Sequence, residues 1–190
     1  MAALPTDRGR AGEGGTVWSS VGAAVAMRVV AAECGDGTRL LVFGLGRDAG
    51  IWETLNRRGL TAFVEDVPQW VALSLTENPA RLVFPVTYET RFRTSDYETA
   101  ASIPLPALPV DLTSAGWDVV VVDAPQGFSD DSPGRASSIA LAATLVRPGG
   151  VVLVDDYDRP LEARIARLVF GRAADAVIDP RRPVGLYRCM

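Results

Sequence analysis

The chain contains no histidine and no lysine, and all 19 of its basic residues are arginine. A general base must therefore be a carboxylate, a tyrosine, a cysteine or water, and Schiff-base chemistry through a lysine amine is excluded. Cysteine is scarce as well. Cys34 and Cys189 stand far apart, form no metal-type pair and read as two reduced thiols. Long apolar runs are missing: the longest, "VGAAVAMRVVAA", is interrupted by Arg28 and is too short to span a bilayer. The opening "MAALPTDRGRAGEGG" lacks the apolar centre of a signal peptide. Residues 1–15 read as a disordered leader, and the expected compartment is the cytoplasm. Net charge is −4 and the pI is near 4.9, so neither nucleic acid nor membrane is expected as a partner.

What remains is an ordinary folded composition: 190 residues, 48% hydrophobic and 22% charged, with mean hydropathy +0.15. That length fits one domain, taken as residues 16–190, with a sizeable core. Residues 17–33 read as a helix of small residues stopped at Gly35. Apolar runs follow at 39–44, 60–65, 80–86, 117–124, 150–156, 175–180 and 185–190, with helices expected at 49–57, 67–77, 133–146 and 159–171. Near-continuous valine and leucine in the strands mean burial on both faces, as in a parallel sheet covered by helices. The last two runs are separated only by "PRRPV", too short for a crossover helix, so they should pair antiparallel. The expected fold is α/β, Rossmann-like, with a mostly parallel seven-stranded sheet and one antiparallel strand, the class I methyltransferase arrangement. Residues 87–116 resist the alternation, and a long irregular connection of this kind is often a binding segment.

In such sheets ligands sit outside the carboxyl ends of the strands. Here those ends are acidic: Asp48 after the first run, Glu65 and Asp66 after the second, Asp123 after the fourth, and Asp155, Asp156 and Asp158 after the fifth. Gly44, Gly46 and Ala49 satisfy a G-x-G-x-x-A nucleotide-binding turn, and Glu65 follows at the interval of a ribose-binding acid. Yet Asp48 lies where a dinucleotide would bring its pyrophosphate. S-adenosylmethionine carries a sulfonium and an ammonium and no phosphate, so it suits an acid in that turn. Gly44, Gly46, Asp48, Glu65, Asp66 and Asp123 are the expected cofactor residues, with Glu65 accepting both ribose hydroxyls.

"FGLGRDAGIWETLN", "GLTAFVED", "WDVVVVDAPQGFSDDSPGRASSIALAA" and "VVLVDDYDRPLE", in that order, resemble the glucuronoxylan 4-O-methyltransferase family. The likeness runs from residue 41 to about 162. It implies an S-adenosylmethionine-dependent O-methyltransferase acting on a saccharide or small-molecule acceptor. Gly44, Gly46, Asp48 and Glu65 would then serve the cofactor. Asp123, Gly127, Arg135, Asp156 and Arg159 would lie in the reaction region. Two positions depart from the family pattern: its HD-x-x-R histidine is Asp155 here, and its PGRM reads PGRA, with Ala136.

Catalysis is expected of Asp123 and Asp156 as proton acceptors and of Arg135 as a grip on an acceptor carboxylate. Arg91 and Arg93 offer the same grip, or form a solvated pair. Tyr88, Tyr97 and Phe128 line an acceptor pocket, or pack. Asp123, Asp155 and Asp156 also resemble the acidic Mg²⁺ site of some small O-methyltransferases. Mg²⁺, Mn²⁺ or Co²⁺ held there would lower the pKa of an acceptor hydroxyl. Two rivals stay open: N-methylation or intramolecular displacement chemistry on the same cofactor, and a non-catalytic nucleotide-binding subunit.

Overall fold

The computed structural model describes residues 21–127, 129–178 and 183–190. Seven strands form one sheet: β1 (Arg39–Phe43), β2 (Leu60–Glu65), β3 (Leu82–Pro85), β4 (Trp117–Val122), β5 (Val146–Val154), β6 (Ala176–Ile178) and β7 (Val184–Arg188). Their order is β3-β2-β1-β4-β5-β7-β6. Strands β1 to β5 pair in parallel, and β7 runs antiparallel to both β5 and β6. The expected sheet forms, with β7 as its reversed strand. The last two strands pair as their short link requires. The longer of them takes the inner place: Val184 to Tyr187 are buried, whereas Ala176 and Val177 of β6 lie exposed at the edge.

Both faces of the sheet are covered, which is why the central strands are apolar through their buried middles. Leu40, Val42, Val119, Val121, Val151 and Leu153 face α1 (Val21–Glu33), α2 (Ala49–Leu55) and α3 (Pro68–Glu77). Their neighbours Leu41, Phe43, Val120, Val122, Val152 and Val154 face α4 (Val110–Thr113), α5 (Ala136–Leu145) and α6 (Pro160–Phe170). Each such side chain contributes about 1.5–3 kcal/mol by leaving water. Among the described residues no helix is long and apolar enough to cross a membrane.

The irregular segment is ordered by its contacts. Beyond two short 3-10 turns, Phe92–Thr94 and Ala100–Ser102, it reaches α4. The Tyr88 hydroxyl meets Ser138 Oγ at 3.0 Å, and Ser137 Oγ donates to the Pro104 carbonyl at 2.6 Å. Helix α5 thus lies between sheet and segment, which explains why "ASSIALAATL" carries no charged face. Arg164 of α6 holds the segment from the other side, donating to the Ser95 and Tyr97 carbonyls.

Element ends differ from expectation for local reasons. Helix α2 stops at Leu55 because Asn56 caps it, with its backbone N–H on the Trp52 carbonyl at 3.1 Å. The Asn56 amide also donates to the Thr38 carbonyl (3.1 Å), the Leu60 carbonyl (3.0 Å) and Thr61 Oγ1 (3.2 Å). Helix α5 starts at Ala136 rather than 133, because Gly134 turns with φ +68°. Strand β5 begins at Val146, ahead of its apolar run. The leader, the first residues of the helix expected from 17, and Phe128 lie outside the described residues.

Candidate active site

The carboxyl ends of β2, β1, β4 and β5 stand side by side at one edge of the sheet, and Gly44, Gly46, Asp48, Glu65, Asp66, Asp123, Asp155 and Asp156 lie there. After β1 the backbone turns at Gly44, with φ +118° and its N–H on the Val64 carbonyl at 2.8 Å. Asp48 occupies the N-cap position of α2, where its Oδ2 accepts the Trp52 indole N–H at 3.1 Å. Its Oδ1 folds back over Gly46: a Cβ on that glycine would lie 2.6 Å away. The two glycines thus serve different ends, one the turn's dihedral and the other the approach of an acid to the backbone.

Glu65 differs from expectation. Its side chain is turned inward and 1% exposed. Oε2 accepts the Leu45 N–H at 2.6 Å, while Oε1 accepts those of Asp66 (3.0 Å) and Val67 (2.8 Å). Glu65 therefore clasps the glycine turn to the turn after β2. A carboxylate has about four acceptor positions, so a contact to both ribose hydroxyls would displace a backbone N–H. Asp66 lies beside it, half-buried.

At the other half of the edge, Arg135 is the hub. It is 5% exposed. Its Nη1 donates to the Asp155 carbonyl (2.7 Å) and its Nη2 to the carbonyl and Oδ1 of Asp123 (both 3.0 Å), and Nη2 is ion-paired with Asp156 Oδ2 at 2.9 Å. Burial weakens its charge, but Asp123, Asp155, Asp156 and Glu162 together outweigh that and hold it protonated. A guanidinium spent in this way cannot grip an acceptor. The catalytic role expected of Arg135 is corrected to a positioning one: it joins the loop after β4 to the loop after β5.

The three acids differ in environment. Asp156, with φ +54°, has a side chain only 12% exposed, and its Oδ2 is ion-paired with both Arg135 (2.9 Å) and Arg159 (2.8 Å). Two arginine side chains thus converge on that one oxygen. The Asp123 side chain is 42% exposed and faces outward beyond its contact with Arg135. Asp155 is pushed up to about 8 by burial first, then by the charge of Asp123, while Arg135 opposes the shift. Asp158 is exposed.

Asp123, Asp155 and Asp156 each offer an oxygen, all within 4.8 Å of one another, and this all-carboxylate set fits a hard divalent ion. The crowding does not by itself demand a metal, because Arg135 and Arg159 already offset the repulsion.

Of the aromatic and basic candidates, Tyr88 is 4% exposed and packs in the core. Tyr97 packs partly buried against the same core. Arg93 pairs with Asp131 at 3.2 Å on the surface, and Arg91 donates to the nearby Thr90 carbonyl at 2.8 Å. Glu162 was missed by sequence reasoning: it is 0% exposed beneath Arg159. Its signal was present, since Glu162, Ile165, Ala166 and Val169 share the i, i+3, i+4, i+7 stripe of α6. The two cysteines are free thiols.

Over 144 residues the chain is 33% identical to the Arabidopsis thaliana glucuronoxylan 4-O-methyltransferase 2, covering 64% of this chain and 50% of that protein. It is 32% identical to the Arabidopsis thaliana arabinogalactan O-methyltransferase 1, covering 66% of this chain and 52% of that protein. The chain thus spans about half the length of the curated relatives it matches. Among solved structures, a T. thermophilus 16S rRNA methyltransferase in complex with AdoMet and guanosine has the same fold, with TM-score 0.53 and 16% identity, covering 90% of this chain and 42% of that one. The family model described as IRX15/IRX15L/GXM matches residues 23–99 and 93–173, and the chain belongs to that family.

Proposed function

We propose that the protein is an S-adenosylmethionine-dependent O-methyltransferase whose acceptor is a hydroxyl of a saccharide or of a small hydroxylated compound. The observation that carries this reading is the acidic glycine turn, with Asp48 folded over Gly46 and Glu65 clasped beneath, beside the exposed carboxylate of Asp123. An acid in the turn disfavours a pyrophosphate and favours a cationic ligand. The names of the relatives support oxygen and a polysaccharide as the acceptor side.

Bound at the turn, the cofactor would supply an electrophilic methyl group. Gly46 lets the backbone approach it, and Asp48 offers negative charge to its ammonium and sulfonium. Glu65 holds the shape of the turn, and Asp66 is the second acid available to the ribose. Asp123 accepts the acceptor's proton at Oδ1 or Oδ2. Arg135 keeps that carboxylate aligned, which matters because methyl transfer depends chiefly on alignment. Incubation with S-adenosylmethionine and glucuronoxylan oligosaccharides should yield S-adenosylhomocysteine and a methyl ether. Methylthioadenosine as product would favour displacement chemistry, and thermal stabilisation by NAD alone would favour a binding subunit. The two free thiols support a cytoplasmic location, which fractionation of the native host would check.

A second reading adds a divalent cation, favoured by the three carboxylate oxygens lying within 4.8 Å. Asp123, Asp155 and Asp156 would hold it, and it would lower the pKa of a nearby hydroxyl. The expected outcome is that EDTA suppresses turnover without weakening S-adenosylmethionine binding, and that Mg²⁺, Mn²⁺ or Co²⁺ restores turnover. Full turnover after exhaustive chelation would leave Asp123 as the unaided base.

A further inference from the structure

We infer that Glu162 is a positioning residue that fixes the guanidinium of Arg159 at the acceptor side of the site, and that residue 127 is glycine to clear the Glu162 carboxylate. Glu162 lies in the core-facing row of α6 with Ile165 and Ala166, and all three are 0% exposed. Among the described residues neither of its carboxyl oxygens has a hydrogen-bond partner. An acid left so in an apolar row is costly, and packing alone would be served better by a leucine.

Its surroundings indicate its use. Arg159 Nη2 rests on Asp156 Oδ2 at 2.8 Å, and its Nη1 faces Glu162 Oε1 at 4.0 Å. The guanidinium is therefore bracketed by two acids, one from the loop after β5 and one from inside α6. Without Glu162 it would be tethered at one end and could swing about Asp156. The loop after β4 closes over this pair at Gly127. A Cβ there would lie 3.1 Å from Glu162 Oε1 and 3.9 Å from Arg159 Nη1.

Arg159 is the cation an acceptor can reach: its side chain is 32% exposed, against 6% for Arg135. Its fork suits a carboxylate or vicinal hydroxyls. This part rests on the proposed methyltransferase reading, in which the acceptor enters beside Asp123.

Two measurements on the full chain test the inference. In the first, arginine side-chain ¹⁵N relaxation is compared between wild type and Glu162→Gln, with the Arg159 signal assigned by its loss in Arg159→Lys. The Arg159 Nε–H order parameter should fall in Glu162→Gln; an unchanged value overturns the inference whether or not the protein is a methyltransferase. In the second, with glucuronoxylan oligosaccharide as the probe, Glu162→Gln should raise the acceptor KM by about tenfold, as misplacement of a binding group does. Cofactor Kd and Tm should hold, and Glu162→Asp should recover part of the loss. Gly127→Ala should raise the acceptor KM likewise. Unchanged KM in Glu162→Gln, or KM and Tm deteriorating together, overturns the inference. Failure of wild type to use any hydroxylated acceptor would instead count against the proposed function and leave the relaxation result to decide.

Discussion

Asp48 and Glu65 show how two acids in neighbouring turns come to do different work. Asp48 is half-buried over Gly46 and tied to the Trp52 indole. Asp48→Asn keeps the shape and an acceptor for that indole but removes the charge. S-adenosylmethionine should then bind about fivefold more weakly, from a loss of about 1 kcal/mol of Coulomb energy. S-adenosylhomocysteine, which lacks the sulfonium, should lose less. Calorimetry of both ligands checks this, and an equal loss would confine Asp48 to the amino-acid end. Glu65→Ala removes three charge-assisted hydrogen bonds and leaves their buried N–H groups without an acceptor. It should lower stability by about 2–3 kcal/mol in denaturant unfolding as well as weaken cofactor binding. Weak binding with unchanged stability would restore Glu65 to a purely ligand-facing role.

At the scale of elements, the cofactor half of the edge depends on how α2 and α3 are held together. Arg81, which precedes β3, has a side chain 4% exposed and grips Glu53 of α2 at 2.9 Å through both Nε and Nη2. Its Nη1 donates to Ser74 Oγ of α3 at 2.7 Å, and its guanidinium lies 5.8 Å from the Phe63 ring of β2. Glu53→Ala would leave the buried cation with only Glu77 at 3.6 Å as a counter-charge, at a cost of about 2 kcal/mol given that Glu53 is itself partly exposed. Urea unfolding of Glu53→Ala and Arg81→Met tests this. Arg81→Met should be milder, since it removes the cation along with its pairing; equal losses would show that packing, not charge, is what the clamp supplies. The order of these elements along the chain was legible in the valine runs and glycine turns, because hydrophobic period and turn chemistry are local. The clamp was not, since Arg81 and Glu53 are 28 residues apart.

For the whole molecule, buried carboxyls shape stability against pH. Asp155 rises from 3.8 to about 8, chiefly by burial and by Asp123, and Glu162 also rises, chiefly by burial. Both bind a proton more tightly folded than unfolded. That contribution is fully present below the unfolded value and is lost as pH rises through the folded one. Tm measured with EDTA present should therefore fall from about pH 4 to about pH 8 and level off above that, and Asp155→Asn should flatten the fall. A slope untouched by Asp155→Asn would mean that the proton resides elsewhere in the cluster.

Sequence alone determined the sheet, its late reversed strand and the edge at which glycines and acids collect, because each is written in runs of a few residues. Only the tertiary structure decided what the charges do there. Arg135, 12 residues from Asp123 and 20 from Asp155, turned out to be a buried rivet rather than a grip. Glu65 closed on Leu45, 20 residues away, rather than standing open to solvent. A charged side chain has the same intrinsic pKa and reach wherever it stands in the chain. Whether it binds a ligand, holds a neighbour or carries a proton depends on which opposite charges the fold brings within about 3 Å and how much water it removes.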